Sequence, residues 1–564
     1  MSDKSFDQEV DVLVIGSGNG ALTAALCCQE MGAGSVLIVE KNSRIGGTSA
    51  MSGGGIWIPC SRYAKAAGAA DAYDQAHRYL EGTIPADQYR EPMIDAYLRN
   101  GPKMLDFLHQ RSHVKYISLE HYPDYYSDVP GARNGHRSLE PEPIMASSLG
   151  DDFRKVKESA MLVYGRYMLT QVEGQTITAG VAGRFKALFK VLLHYWTDFP
   201  WRFKHKISRR LTCGAAGIVR LLLSLRDRNV PIWLNAAMRE LIIDDDRVVG
   251  AIVEKEGHTL RIKARQAVIL GAGGFEQNQA MREQYLPSPT NSAWSAGIHT
   301  NTGDAIVAGQ KLGAKTDLMD GAWWCSTIDV PGREYPFLSI VTKSMPGTFV
   351  VNQTGKRYGN ESQNYMAWSQ ELFRVHSAAN DCVPSYMIFD SRFKKTYSAF
   401  PVSGPDWLLP RAYFDTGLIS KADSISALAA QTGIDAVQLE QTVARFNEFA
   451  RNGKDLDFQR GDAAYDRYYG DAKVKPNPCL ATVEQAPFYA IRIEAGDFGT
   501  HGGLVTNEHA QVIGADDQPI AGLYAIGNCS SAVLPTYPGP GSTLGPAMTF
   551  GYQAAKHITG FDDC

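Results

Sequence analysis

Apolar residues run almost unbroken over positions 10–15 (VDVLVI), with the β-branched bias of a buried strand, and stop abruptly at a glycine-rich stretch, GSGNGA. Residues 22–31 then carry apolar side chains at helical spacing, and 35–39 form a second apolar strand that ends on Glu40. This pattern predicts a βαβ unit with its glycines in the first turn. Two later runs repeat the strand-into-glycine pattern, AVILGAGGF at 267–275 and GLYAIGN at 522–528. The stretch 241–254, LIIDDDRVVGAIVE, predicts a hairpin turning at 244–246. Helical periodicity returns at 425–430 and 436–451, with Gly433 between them.

Strands separated by hundreds of residues but alike in pattern predict one sheet assembled from both ends of the chain. The expected fold class is α/β: a Rossmann-like FAD-binding domain from residues 1–295 and 485–564, with an inserted α+β catalytic (capping) domain at 296–484. The inserted part is rich in aromatics, among them Trp323, Trp324, Tyr358, Tyr365 and Trp368.

The turn sequence explains the cofactor. Gly16, Ser17, Gly18, Gly20 and Ala21 fit the GxGxxA dinucleotide fingerprint, and Glu40, about 20 residues on, is placed to bind a ribose. Next comes a long glycine and hydroxyl loop, KNSRIGGTSAMSGGGIWIP at 41–59, longer than NAD sites need. Lys41, Gly47, Thr48, Ser49, Ser52, Gly53 and Gly54 extend the phosphate site towards a second ring system, which points to FAD. Gly273 and Gly274, and Gly527 with Asn528, close the other two strands onto the same cofactor. Glycine totals 54 of 564 residues, above the usual ~7%, and it clusters where backbone must approach a large ligand.

A formal net charge of -4, from 56 basic and 60 acidic residues, argues against a nucleic-acid partner. The nine cysteines show no CxxC or Cys/His spacing, so reduced thiols and no metal site are expected. Residues 1–11 lack a basic, apolar leader and no run of 18 apolar residues exists, which together suggest a cytoplasmic protein. Positions 518–555 carry no formal charge and read as cavity lining. The segment at about 180–210 is different. Arg184, Lys186, Lys190, Arg202, Lys204, Lys206, Arg209 and Arg210 face one acid, Asp198, and alternate with Phe185, Phe189, Tyr195, Trp196, Phe199, Trp201 and Phe203. An in-plane helix on the inner face of the cell membrane fits this composition, and a core-facing helix with a basic outer side is the alternative.

Four stretches make the reading specific: GGTSAMSGGGIWIP at 46–59, PDYYSDVPG at 123–131, RYGNESQNY at 357–365 and TYPGPGSTLGPAMTFGY at 536–552. Together they resemble the flavoprotein superfamily of fumarate reductase and, within it, the 3-ketosteroid Δ1-dehydrogenases, over all but residues 150–210. The resemblance implies non-covalent FAD, with Met238, Ser542 and Leu544 among its contacts, a 3-ketosteroid substrate in steroid or sterol degradation, and an external, quinone-like electron acceptor. It further implies that Tyr537 and the Gly541 N–H polarise the C3 ketone, that Tyr365 takes the C2 proton and that Tyr125, or its neighbour Tyr126, supports Tyr365. Fumarate reductases place an arginine one turn after the glutamate of RxxNE. Here Asn364 and Tyr365 follow Glu361, so a dicarboxylate is disfavoured. A Δ4-dehydrogenase and an unsaturated-acid reductase of the same fold are the alternatives. His501 is read as lining rather than as an acid.

Overall fold

The computed structural model describes residues 5–163, 165–178, 183–397 and 400–562. Gln8–Ile15 lies inside the main sheet, and from Val12 to Ile15 its side chains are buried on both faces. It pairs in parallel with His258–Leu270 on one side (Val12 opposite Ala267) and with Val36–Val39 on the other (Val12 opposite Val36). Pro519–Ala525 extends the sheet in parallel beyond His258–Leu270, so both ends of the chain do build one sheet. The hairpin forms as expected, with Asp245 and Asp246 at φ 46 and 59 in its turn.

The first helix, Asn19–Glu30, starts inside the glycine motif and crosses the C-terminal helix Leu544–Thr559 closely. A Cβ at Gly20 would lie 2.9 Å from the Ala547 carbonyl oxygen, so this glycine serves helix packing as well as the turn.

A second, antiparallel sheet joins Thr348–Val351, Ser385–Asp390, Phe488–Ile493 and Ile419–Ala422. Its side chains alternate between two cores. Phe349, Val351 and Ile388 pack under the helices Ile425–Thr432 and Ala436–Asn452, whereas Val350, Met387 and Phe389 face Trp368 and Tyr358. Phe488–Ile493, which follows position 485, is a strand of this sheet.

The basic segment folds as Arg184–Thr197 and Phe199–Arg202; the helix Gln171–Thr178 precedes it, and residues 179–182 between them lie outside the described residues. The helix Arg184–Thr197 does not turn its aromatic stripe to the core: Phe185 and Phe189 are 72% and 66% exposed, and only Val191 and Tyr195 are buried. Two aromatics do turn inward. The Tyr195 hydroxyl donates to the Lys206 carbonyl, and Trp201 stacks on His205. Arg209 and Arg210 are engaged by Asp198 and Glu173, Arg184 and Arg202 lie over the Phe185 and Trp196 rings, and the lysines of the segment form no ion pair among the described residues. No described helix is long and apolar enough to cross a membrane. The eight described cysteines are unpaired, and Cys564 lies outside the described residues.

Candidate active site

Two cavities adjoin where the sheets meet. The larger holds about 370 Å³ and the smaller about 30 Å³, so only the first can take a cofactor and a substrate.

One end of the larger cavity is the glycine turn. Gly16 has φ +102, and a Cβ there would stand 2.3 Å from the Gly271 carbonyl oxygen, so no other residue fits. Gly18 caps the first helix without a side-chain acceptor, and the first turn has no acidic residue, which leaves N–H groups for a phosphate. Ser17 donates to Glu40 at 2.6 Å and accepts from the Gly46 N–H at 3.0 Å, tying the turn to the hydroxyl loop. Burial raises the Glu40 carboxyl against the pull of that Ser17 bond.

The hydroxyls of the loop are structural as much as ligand-facing. Thr48 accepts from the Ile298 N–H, Ser49 from the Asn19 N–H, and Ser52 donates back to the Ser49 carbonyl. All three still line the cavity, with Lys41, Gly47, Gly53, Gly54, Met238, Gly273, Gly527, Asn528 and Leu544. Two expected contacts do not. Gly274 packs against Thr500 and Glu276, and the Ser542 hydroxyl closes the 539–542 turn by donating to the Gly539 carbonyl at 2.7 Å. These surroundings fit FAD: a glycine cradle, a free helix N-terminus and a buried ribose acid open on one cavity.

The other end is aromatic. Tyr125, Tyr365 and Tyr537 are buried, with ring centroids 5.5 Å apart for Tyr125–Tyr365 and for Tyr365–Tyr537, and 5.7 Å for Tyr125–Tyr537. Tyr126 is not in this cavity; its hydroxyl donates to the Thr536 carbonyl. Tyr537 holds φ 58, an uncommon value for a non-glycine residue, and a Gly541 Cβ would lie 2.4 Å from the Ile56 backbone. Burial, then the neighbouring Tyr537, push Tyr365 well above the ordinary tyrosine value, and a hydrogen bond from Tyr125 opposes them. Burial also raises Tyr537, opposed by hydrogen bonds from Tyr365, Thr543 and the Gly541 backbone.

Buried ion networks flank these tyrosines, and of their members the sequence singled out only the Arg357 and Glu361 of RxxNE. Behind Tyr125, Asp124 accepts from Trp57 Nε1 at 2.7 Å and pairs with Arg137, which also pairs with Asp71. Ahead of Tyr365, Glu361 pairs with Arg357 and Arg460, and Lys343 donates to the carbonyls of Glu361 and Gln363. Burial pulls the Lys343 ammonium down to about 7. Asn364 and Tyr365 follow Glu361 at the start of the next helix. Asn364 caps the helix Tyr365–Val375 and reaches the Tyr125 carbonyl at 3.5 Å. Trp323, Phe498, Tyr122 and Tyr469 complete the wall. His501 lies outside it, lining the smaller cavity beside Trp323, with burial lowering it to about 4.

A model of the FAD binding domain family matches residues 11–544. The chain is 39% identical to a 3-oxosteroid 1-dehydrogenase of Mycolicibacterium smegmatis, over 98% of its own length and 97% of the relative's. It is 37% identical to a 4-oxocyclohexanecarboxylate 2-dehydrogenase of Sinomonas cyclohexanicum, over 98% and 93%. Among solved structures, it matches the 3-ketosteroid Δ1-dehydrogenase of Sterolibacterium denitrificans in complex with 1,4-androstadiene-3,17-dione at a TM-score of 0.95, with 41% identity and coverage of 98% and 100%.

Proposed function

The chain belongs to the FAD-binding flavoprotein family whose model spans it, together with the 3-oxosteroid 1-dehydrogenases, and from that membership we propose how its cavity works. It is a FAD-dependent oxidoreductase that removes hydrogen from C1 and C2 of a 3-ketosteroid, leaving a C1=C2 double bond. The convergence of three buried tyrosines and Gly541, in the cavity that also holds the glycine cradle, carries the assignment of roles.

Tyr537 donates its hydroxyl, and Gly541 its N–H, to the C3 ketone. A hydrogen next to a ketone is only weakly acidic, so these donors act first, stabilising the charge that builds on the oxygen. The Tyr365 oxygen takes the C2 proton while Tyr125 donates to that oxygen, offsetting part of the cost of a buried phenolate. Bound FAD supplies the hydride acceptor for C1. No histidine or cysteine lines the cavity among the described residues, which supports non-covalent binding. The division into an FAD-binding unit, 1–295 with 485–564, and a capping unit, 296–484, belongs to the same proposal. The test is direct: purified, FAD-loaded protein given a 4-ene-3-ketosteroid should bleach an artificial electron acceptor, and fumarate with reduced dye should give no turnover. The reverse outcome would make it a reductase.

The helix Arg184–Thr197 rests, in this proposal, on the inner face of an anionic membrane. Phe185, Phe189, Leu193, Trp196, Phe199 and Phe203 are exposed, and the lysines around them are free to meet lipid phosphates. A quinone-like acceptor within that membrane fits the same placement. At about 1 kcal/mol per basic residue, reversing Lys186, Lys190, Lys204 and Lys206 to glutamate should weaken binding to phosphatidylglycerol vesicles by about 10²-fold or more. Equal sedimentation of parent and variant would remove the membrane role.

A further inference from the structure

Arg333 is a cation in an otherwise apolar stretch of the cavity wall. Its side chain is partly buried beside Ala160, Met161, Phe337 and Leu338. One of its N–H groups donates to the Ala160 carbonyl at 3.3 Å, while the buried Nε has no partner. The adjacent acid, Glu334, is taken by Lys157 at 2.9 Å. The remaining neighbours are aromatic, with the guanidinium 5.9 Å from the Phe337 ring and 5.5 Å from Phe400. Burial lowers the Arg333 pKa, and no carboxylate is among the groups acting on it. Lys41, also in the lining, is already paired with Asp304 at 2.7 Å beside the ribose site.

The position of Arg333 says which part of a ligand it meets. Leu338, Ile340 and Val341 pack against the cluster that contains Tyr365, Tyr125 and Tyr537. Phe337 packs with Phe400 in a different cluster, and Arg333 lies beyond it along the chain. Met161, at 42% exposure, marks this end of the cavity as open to solvent. A ligand with its ketone at Tyr537 and Gly541 would therefore present its far end to Arg333.

We propose that Arg333 binds a carboxylate on the substrate side chain, so that the preferred substrates are 3-ketosteroids carrying an acidic group on the ring D side. The planar guanidinium has five N–H donors, and its terminal Nη groups, one of which already reaches the Ala160 carbonyl, have further N–H donors that match the two oxygens of a carboxylate. A neutral steroid leaves these donors unpaired, and in a half-buried site that difference favours the acid. The inference rests on the steroid reading above, and its test separates the two.

The experiment compares a 4-ene-3-ketosteroid side-chain acid with its neutral carboxamide, in the parent enzyme and in Arg333→Met and Arg333→Lys. The acid-to-amide ratio of kcat/KM should fall about tenfold or more in Arg333→Met and recover in part in Arg333→Lys. General damage to the site cancels in this ratio. An unchanged ratio in Arg333→Met overturns the inference while leaving the dehydrogenase reading intact. Affinities read from the flavin absorbance change on titration give the same ratio without turnover, so absence of chemistry with both compounds would sink the dehydrogenase reading and still decide the role of Arg333.

Discussion

Tyr365→Phe should remain folded and yellow with bound FAD while losing about 10²–10⁴-fold in kcat. The substitution removes one oxygen and keeps the ring that packs against Tyr125, Tyr537 and Phe498. It also leaves the helix start intact, because Asn364 rather than Tyr365 makes the capping bond to the Ala367 N–H. The pH dependence sharpens the test. Burial raises the Tyr365 pKa, so the hydroxyl is protonated at neutral pH and the phenolate fraction grows only as pH rises. The parent's rate should climb on the alkaline side, and that limb should vanish in the phenylalanine variant. Activity within tenfold of the parent, with the limb retained, would assign the base to another residue.

Removing the ketone's donors should have the next largest effect. Tyr537→Phe takes away one hydroxyl without disturbing the main chain, and a lost oxyanion donor costs about 10²–10³-fold in kcat. Gly541→Ala is harsher, since the residue sits at φ +102 with the Ile56 backbone 2.4 Å from any Cβ. That variant should lose turnover and also displace Ile56, so Tyr537→Phe is the cleaner measurement. A steroid with a phenolic A ring mimics the enolate and should bind the Tyr537→Phe variant at least about tenfold more weakly than the parent. Undiminished affinity for the phenol would place the ketone elsewhere in the cavity.

The cofactor half of the site was legible because its signals are local. A buried strand, a tight turn and a helix N-terminus lie within 20 residues, and each constrains residue type directly, as Gly16 does against Gly271. The substrate half draws on segments near 125, 365 and 537, and no periodicity brings those together; the resemblance of their motifs did. Most of the supporting charges were invisible for the same reason. Arg137 reaches Asp71 and Asp124 across loops, and an arginine in a sequence gives no sign that it is buried. The strand Phe488–Ile493 escaped because it pairs with Ser385–Asp390, about a hundred residues away. Helical spacing showed that Phe185 and Phe189 share a face but not that this face points to solvent, since the period describes the helix and not what covers it. Ser542 and Gly274 lie beside true lining residues, and only the turn geometry separates them.

The central claim is the position of the new double bond. Incubating the FAD-loaded enzyme with androst-4-ene-3,17-dione and an electron acceptor, then locating the product's double bonds by NMR, should give the 1,4-diene-3,17-dione with loss of one hydrogen each from C1 and C2. An unchanged 4-ene substrate, with turnover only of ring-saturated 3-ketosteroids and a new bond at C4–C5, would contradict it.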